Sequence, residues 1–286
     1  MNSVVSAPDP TWTDHRFAQW KGGSYVPAAW RRAVEDLQHY YQQPIDAIAQ
    51  RYWSARDQED GQAPTAVAQD AIDAMYQTTD RYIYECSYFE AMTEYQGYFE
   101  LVRRACTQFC WTPVLDFGGG AGGMTLALSL GGVFCDYADV PGPTSDYARW
   151  RFQRHAGAAR VLDATHALFR ERYGAIVTLD VFEHLPDLPS AVGRLVEGLA
   201  PGGWLITKST FAPGDPMHLP QNMIYADIHQ FNRLLAECGL TYRGRLRADP
   251  LSEWRVKQPG RPRVWWAWLD PKPKFGGRFV VHQRRH

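Results

Sequence analysis

The sequence predicts an α/β protein in which a doubly wound, mostly parallel sheet follows a helical N-terminal segment. Two observations indicate this fold class. From Val114 onward, short β-rich runs alternate with helical segments, the pattern of parallel strands joined by right-handed crossovers. The last three β-rich runs are separated by turns rich in Pro and Gly, which favours antiparallel strands at one edge of the sheet.

The N-terminal segment is predicted to be helical after an irregular arm of about 25 residues. Apolar residues recur every three or four positions from Ala28 to Arg56, and Pro44 is expected to divide this stretch into two helices. Further helices are predicted over 66–76 and 82–110. We therefore divide the chain into an arm with a helical cap or lid, residues 1–110, and an α/β domain, residues 111–286.

The α/β domain is predicted element by element from its alternating pattern. The predicted parallel strands are 113–117, 133–139, 160–163, 175–180 and 203–209. The predicted helices are 121–130, 144–156, 165–172, 188–199 and 226–238. The antiparallel strands are expected in "LTYRGRL", "RVWWAWL" and "GRFVVHQ".

Composition limits the classes of function. The 286 residues are 45% hydrophobic and 21% charged, with a formal net charge of −1, which argues against a general nucleic-acid or anionic-membrane binder. No apolar run approaches the ~20 residues of a membrane span, and the first residues lack a signal-peptide pattern. The five cysteines are scattered and odd in number, typical of buried thiols in a reducing cytoplasm. Their spacing predicts no metal site.

The stretch "VLDFGGGAGG", residues 114–123, is typical of a ligand-binding turn between a strand and a helix. Gly118, Gly120 and Gly122 form G-x-G-x-G, and Gly123 completes the G-x-G-x-x-G of dinucleotide sites. Glycines allow a tight turn and a close ligand approach, and the following helix presents free N–H groups. A turn that merely packs a strand against a helix is the alternative.

Asp116 distinguishes between possible ligands. It lies two positions before Gly118, where a carboxylate would oppose a pyrophosphate. The same carboxylate would favour a ligand with positive charges and no phosphate. S-adenosylmethionine, with its sulfonium and ammonium groups, fits that description.

Three more predicted strands end in carboxylates, and ligands of open parallel sheets bind beyond the carboxyl ends of strands. Asp139 follows Gly118 by 21 positions and can accept both ribose hydroxyls, in S-adenosylmethionine or in NAD. Asp163 either accepts from an adenine amino group or caps a helix starting at Thr165. Asp180 precedes Glu183 and His184 in "DVFEHLPD".

Together, "VLDFGGGAGG", the Asp139 spacing, "DVFEHLPD" and "LAPGGWLI" resemble the class I S-adenosylmethionine-dependent methyltransferases, in particular the small-molecule branch with D-V-x-E-H. The resemblance covers about residues 110 to 245. It implies a Rossmann-like sheet of seven strands, one of them antiparallel. The residues that it implies as cofactor contacts are Asp116, Gly118, Gly120, Gly122, Asp139, Val140, Asp163, Ala164, Asp180 and Val181. The extra glycines of "GGGAGG" depart from the family pattern and would change how the methionine end is placed.

Methyl transfer from a sulfonium depends mainly on alignment, with a base where the acceptor must lose a proton. His218 is the first candidate base, because it lies in the irregular loop "STFAPGDPMHLPQN" with Asp215 nearby. A His that only fixes the loop is the equal alternative. His184 is the second candidate, although a structural role is favoured for it, and His229 is expected at the surface.

Aromatic residues of the helical segment are expected to pack against the sheet and the ligand. Tyr76 and Tyr82 flank a predicted break between helices, so they are candidates to cover the cofactor. "VWWAWLD" (264–270) is expected to be edge-strand core rather than an acceptor pocket.

The sequence therefore predicts a cytoplasmic methyltransferase that acts on a small metabolite. We expect no nucleic-acid partner and no membrane partner; the oligomeric state is open. Three alternatives remain at this stage. One is an enzyme that cyclises S-adenosylmethionine or transfers its alkyl chain, releasing methylthioadenosine. The others are an NAD(P)-binding oxidoreductase and a non-catalytic protein that retains the cofactor.

Overall fold

The computed structural model describes residues 16–17, 24–59, 69–155, 159–166, 170–212, 218–248, 267–270 and 279–285. These residues form one eight-stranded sheet with the strand order β3-β2-β1-β4-β5-β8-β6-β7. The strands are β1 Val114–Phe117, β2 Cys135–Asp139, β3 Val161–Asp163, β4 Tyr173–Leu179, β5 Leu199–Lys208, β6 Leu240–Ala248, β7 Ala267–Asp270 and β8 Val280–Arg284.

Helices precede the sheet and connect its strands. Among the described residues, the helices with defined bounds before β1 are α1 Pro27–Tyr41, α2 Ile45–Glu59, α3 Gln69–Thr78, α4 Arg81–Ala91 and α5 Thr93–Gln108. The other four are α6 Gly123–Leu130, α7 Pro143–His155, α8 Leu188–Gly198 and α9 Ile228–Glu237. Short 3₁₀ helices cover Phe182–His184 and Pro220–Ala226.

The predicted fold class is confirmed: β1 to β5 are parallel, and β8 runs antiparallel between β5 and β6. The described sheet has eight strands, as the alternating pattern predicts, and so one strand more than the seven that the resemblance implies. At its end, β7 pairs antiparallel with β6 and extends that edge. The carboxyl ends of β1 to β5 therefore lie at one end of the sheet, where the candidate site residues were expected.

Two predicted helices differ from the structure. The predicted helix 82–110 is interrupted at Met92, whose backbone is extended and forms an isolated bridge with Tyr25. Within the predicted helix 165–172, residues 165–166 and 170–172 form turns or irregular backbone, and 167–169 lie outside the described residues. The Asp163 carboxylate explains the first turn, because it accepts from the backbone N–H and the hydroxyl of Thr165 and contacts His166.

Hydrophobic clusters fix the helices on the sheet. One face packs against α5 and α6 through residues such as Val102 and Leu128, and the other packs against α8 and α9 through residues such as Leu195 and Leu235. A third cluster joins α1, α2 and α4 to Ala121 in the glycine turn. The N-terminal helices thus pack directly against the turn that follows β1; the division at residue 110 stays a prediction.

Several sequence-based expectations have simple outcomes. All five cysteines are free thiols, but only Cys106 and Cys135 are buried as expected. Cys86 and Cys238 are half-buried, and Cys110, just after α5, is exposed. His229 is exposed, as predicted.

Within the described ranges, none of the helices combines the length and the apolar composition that a membrane span requires. Asp215 and residues 264–266 of "VWWAWLD" lie outside the described residues.

Candidate active site

The glycine turn follows β1 and has left-handed backbone at alternate positions. The φ angles are +71° at Gly118, +53° at Gly120 and +87° at Gly122. Residues with a side chain rarely adopt this region, so the sequence must be glycine here. A Cβ atom on Gly118 would lie 2.5 Å from Cγ2 of Val181. The turn therefore lies directly beside the end of β4.

Asp116 holds the start of helix α6. Its side chain is only 2% exposed, and its Oδ2 accepts hydrogen bonds from the Thr125 N–H (3.1 Å) and hydroxyl (2.8 Å). Burial raises the pKa of Asp116 to about 7, although the bonds from Thr125 oppose that shift. The structure therefore shows a role in positioning α6, and direct contact between Asp116 and the cofactor stays a prediction.

Asp139 and Val140 end the second strand beside the glycine turn. The Asp139 carboxylate accepts from the Gly120 N–H (2.7 Å) and from the Val140 N–H (2.7 Å), and the residue is partly exposed. Burial raises its pKa to about 6. A carboxylate can accept about four hydrogen bonds, so both oxygens retain capacity for ribose hydroxyls.

Asp163 and Ala164 continue this edge at the end of β3. The Asp163 side chain is 30% exposed, and its oxygens are held by Thr165 and His166. Partial burial raises the pKa of Asp163, but the bonds from Thr165 and His166 outweigh it, so the pKa is lowered. The backbone N–H of buried Ala164 donates to the Asp139 carbonyl (3.0 Å). Asp139 and Asp163 are thus register partners at the ends of neighbouring strands β2 and β3. Their contact with the cofactor stays a prediction.

A buried ionic network supports the glycine turn from the helical segment. Arg151 of α7 donates to Asp36 (3.0 Å), to Glu90 (2.7 Å) and to the Ala121 carbonyl (2.6 Å). Glu90 in turn accepts from the Gly123 N–H at the start of α6 (2.7 Å). Sequence reasoning missed these three charged residues, since nothing local links positions 36, 90 and 151.

The same contacts favour one of the two classes of ligand considered for the glycine turn. Dinucleotide sites use the free N–H groups at the helix N-terminus to bind pyrophosphate. Here Glu90 and Asp116 already accept from the N–H groups of Gly123 and Thr125. The start of α6 is therefore occupied by carboxylates of the protein itself, which suits a cationic nucleoside and opposes a diphosphate.

Tyr76 and Tyr82 lie together at the junction of α3 and α4. Their ring centroids are 5.0 Å apart, and both side chains are partly exposed. Burial, followed by the neighbouring Tyr82 and Asp139, raises the pKa of Tyr76 well above its ordinary value. Both tyrosines therefore stay neutral at physiological pH. Their role in covering the cofactor stays a prediction, and their place beside Asp139 supports it.

The ends of β4 and β5 carry a second polar group, which we name the acceptor rim: Asp180, Lys208, Tyr95 and Thr210. The Lys208 ammonium lies 2.6 Å and 2.7 Å from the two carboxylate oxygens of Asp180. The Tyr95 hydroxyl donates to Asp180 (2.8 Å), and the Thr210 hydroxyl lies 3.3 Å from it. Asp180 has a φ of +52°, an unfavourable backbone for a residue with a side chain.

Sequence reasoning found Asp180 but missed Lys208 and Tyr95. Lys208 ends β5 as Asp180 ends β4, so the rule about strand ends would have found it. Tyr95 comes from α5, and no spacing in the sequence links it to Asp180. Val181 follows Asp180 and packs its side chain over Gly118, which joins the rim to the glycine turn.

His184 and His218 come together beside the rim, with ring centroids 5.1 Å apart. His218 Nδ1 lies 2.8 Å from the Ala212 carbonyl, which only accepts hydrogen bonds. Nδ1 therefore carries the proton, and the lone pair is on Nε2. Glu183, which is fully buried, accepts from the Thr210 N–H (2.8 Å), and burial, followed by the Asp180 charge, raises its pKa.

Comparison with known proteins agrees with this geometry. A family model described as "Methyltransferase domain" matches residues 37–244, from within α1 to within β6. The chain belongs to this methyltransferase family. Its cofactor is S-adenosylmethionine, which the strand-end carboxylates and the carboxylate-capped α6 fit. The cofactor, when bound, supplies an electrophilic methyl group.

Solved structures similar to this methyltransferase include magnesium protoporphyrin IX methyltransferase from Synechocystis PCC 6803, at 16% identity and TM-score 0.47, covering 77% of this chain and 99% of that one. Another is 1,6-didemethyltoxoflavin-N1-methyltransferase from Burkholderia thailandensis, at 15% identity and TM-score 0.45, covering 78% and 93%. A curated relative is the serpentine receptor class alpha-1 of Caenorhabditis elegans, 36% identical over 55 residues. That match spans 19% of this chain and 17% of the receptor.

Proposed function

We propose that this methyltransferase transfers the methyl group of S-adenosylmethionine to an oxygen or nitrogen atom of a small molecule bound at the acceptor rim. The observation that carries the proposal is the Asp180–Lys208–Tyr95 group. It joins two strand ends to helix α5, and its charged side chains stay partly exposed, at 22% for Asp180 and 13% for Lys208. Val181 connects it to the glycine turn, where the cofactor is held.

The rim residues act by positioning. Methyl transfer in line with the breaking carbon–sulfur bond depends mainly on the alignment of the acceptor. The ion pair fixes Lys208 and Asp180 in one geometry, and each is a strong hydrogen-bonding group for a polar acceptor. The Tyr95 ring stacks on Phe89, with centroids 5.6 Å apart, and supplies an apolar surface beside the charges.

His218 is proposed as the group that accepts a proton from a hydroxyl or ammonium acceptor. Its Nε2 lone pair follows from the Nδ1 contact with Ala212, and the side chain is partly exposed. His184 is proposed to hold the His218 ring in place. The alternative role of fixing the 212–218 loop predicts the same contact with Ala212, so kinetics must separate the two.

A small acceptor is favoured over a nucleic acid by the charge of the chain. A polyanion would need a basic surface, whereas the net charge is −1 and the strand ends carry several carboxylates. The N-terminal helices also pack against the glycine turn, which leaves little width for a macromolecule.

The experiment that tests the proposal starts with the full chain and S-adenosylmethionine alone, followed by mass spectrometry. Saturable binding without turnover supports a transferase that requires an acceptor, whereas methylthioadenosine above the spontaneous rate indicates the cyclisation or alkyl-transfer alternative. Methyl-labelled cofactor is then added with a size-fractionated cell extract. We expect label in the small-molecule fraction and S-adenosylhomocysteine in equal amount; label only in protein or nucleic acid would contradict the proposal.

The Lys208→Met variant tests whether the acceptor rim takes part in methyl transfer. Lys208→Met removes a charged hydrogen bond at a partly buried carboxylate, so we expect kcat/KM for the acceptor to fall about 10- to 100-fold with cofactor affinity unchanged. Arg170→Met is the matched control, since Arg170 forms an exposed pair with Glu197. If both variants lost the same fraction of kcat/KM, the acceptor rim would have no specific role in the reaction.

A further inference from the structure

We propose that Glu183, His184 and His218 together bind one divalent transition-metal ion. Each residue offers one ligand atom, and these atoms all lie within 4.8 Å of one another. Ligands of one tetrahedral ion at ~2.1 Å lie about 3.4 Å apart, so a small side-chain rotation brings all three to bonding distance. The site is a metal centre that the Cys and His spacing of the sequence does not indicate.

The Glu183 carboxylate is the strongest single observation. Its side chain is fully buried, and Oε1 accepts from the Thr210 N–H at 2.8 Å. Oε2 is buried as well and has no hydrogen-bond partner among the residues that the structure describes. Buried polar atoms are normally satisfied, and each exception requires an explanation. A cation bound to Oε2 supplies the missing partner.

His218 has the arrangement that metal-binding histidines share. Such residues bind the metal through one ring nitrogen and donate the other N–H to a carbonyl or carboxylate, which fixes the ring. In His218, Nδ1 donates to the Ala212 carbonyl and leaves the Nε2 lone pair for an ion. The ring of His184, at 5.1 Å between centroids, contributes the second imidazole.

Hydrogen bonds from Asn222 and Leu219 fix the backbone that carries Glu183 and His184. Asn222 is only 2% exposed, and its amide donates to the Phe182 carbonyl (3.1 Å) and the Leu185 carbonyl (2.8 Å), on either side of Glu183 and His184. The Leu219 N–H donates to the Glu183 carbonyl at 3.1 Å, which ties the residue after His218 to the same 3₁₀ helix. These hydrogen bonds therefore connect the backbone segments that carry the three ligands.

The ligand set indicates which ion is expected. Two imidazoles and one carboxylate suit Zn²⁺ and neighbouring transition metals, whereas Mg²⁺ prefers oxygen ligands. Three protein ligands leave at least one coordination position open. A bound ion uses the same Nε2 lone pair as the proposed base, so His218 has one role or the other. Metal binding itself does not depend on the proposed function.

The test measures binding without turnover. The full chain is stripped with a chelator, and Zn²⁺ is titrated in competition with a chromophoric chelator, with Co²⁺ absorption as a second readout and Mg²⁺ as a comparison. We expect one Zn²⁺ per chain at a competing affinity and no competition by Mg²⁺. His218→Ala, His184→Ala and Glu183→Gln should each weaken that binding by more than about tenfold, the usual loss for even an outer-shell change.

His229→Ala is the matched control, because His229 is exposed on α9, and it should bind Zn²⁺ like the unchanged protein. Thermal unfolding without metal and titration with S-adenosylmethionine show that each ligand variant is folded. Folded His218→Ala and Glu183→Gln proteins that keep full Zn²⁺ affinity would overturn the proposal, as would a stripped protein with no stoichiometric binding. Weak binding that only the His229→Ala change reduces would also overturn it.

Discussion

The strand-end edge of the sheet has two halves that differ in how their polar groups are satisfied. At β1 to β3, Asp116, Asp139 and Asp163 each accept backbone N–H groups from turns and a helix start close to them. At β4, Asp180 is held instead by the side chains of Tyr95 and Lys208, which come from distant parts of the chain.

Several buried atoms of the second half lack a hydrogen-bond partner among the described residues. They are the hydroxyls of Thr178, Thr207 and Ser209 and the Oε2 atom of Glu183. The carboxylates of the first half are thus satisfied by groups close to them in the chain, whereas the second half keeps buried polar atoms that are available to a ligand.

The largest expected effect is the loss of the ionic network behind the glycine turn. Arg151→Met removes the Arg151 partner of Glu90 and of Asp36, whose side chains are 12% and 1% exposed. Asp36 keeps its contacts with Arg154 (3.3 Å) and His155 (2.7 Å), so Glu90 is the carboxylate most affected. Breaking a buried pair in this way costs about 3–5 kcal/mol. We expect urea unfolding to show that loss in the free energy of unfolding, together with weaker cofactor binding.

Arg149→Met on the same helix is the control for this change. Arg149 pairs with Asp146 at the surface, where the two side chains are 51% and 60% exposed, and such pairs contribute about 0–1 kcal/mol. A similar loss of stability in both variants would show that the buried network is not what supports the turn.

The glycine turn is tested by two substitutions with the same backbone strain. Gly118 and Gly132 both have left-handed φ angles, +71° and +79°. A Cβ on Gly118 meets Val181 at 2.5 Å, whereas a Cβ on Gly132 meets nothing within 4 Å. Backbone strain should cost each alanine variant about 1–2 kcal/mol of stability. Gly118→Ala should lose more than that, because its Cβ must displace the Val181 side chain. In isothermal titration, only Gly118→Ala should also lose cofactor affinity. Equal affinities in the two variants would show that the contact between Gly118 and Val181 does not contribute to cofactor binding.

The pH dependence of cofactor affinity tests Asp139. Ribose hydroxyls donate to the ionised carboxylate, and protonation replaces one acceptor with a donor. Because the pKa of Asp139 in the free protein is raised to about 6, affinity should increase as the pH rises toward 6 and level off above 7. Below pH 6 the Kd should rise about tenfold per pH unit, which corresponds to one linked proton.

Asp139→Asn provides the comparison. It keeps one carbonyl acceptor and cannot ionise, so its Kd should be weaker near neutral pH and lose the tenfold slope below pH 6. A slope that persists in Asp139→Asn would assign the linked proton to another group, and Asp116, with a pKa raised to about 7, is the nearest candidate.

The local geometry of the glycine turn and of the first three strand ends could be predicted from the sequence far better than the contacts around Asp180, for a physical reason. Gly118, Asp139 and Asp163 act through backbone conformation and through neighbours close in sequence, so their spacing carries the information. The helix expected over 165–172 was wrong at its described residues for the same reason. A carboxylate before a turn resembles a helix cap in sequence, and Asp163 forms a turn with Thr165 instead.

The acceptor half is assembled by packing. Tyr95 and Asp180 are 85 positions apart, and only the docking of α5 on the sheet brings them together. His184 and His218 were identified as separate candidates, but their contact and the position of Glu183 depend on how the loop after β5 folds back. The break at Met92 likewise follows from its bridge with Tyr25, which no local pattern shows.

The smallest expected effect separates the two halves most directly. Tyr95→Phe removes one hydrogen bond from Asp180, which keeps its pair with Lys208, so stability should fall by only about 0.5–1.5 kcal/mol. Acceptor kcat/KM should fall severalfold while the Kd of S-adenosylmethionine is unchanged, because the glycine turn and Asp139 are intact. Tyr98→Phe is the control, since Tyr98 lies on the same helix and bonds Glu94. If Tyr95→Phe weakened cofactor binding as much as acceptor turnover, the two halves would be one coupled site, and the comparison between them would fail.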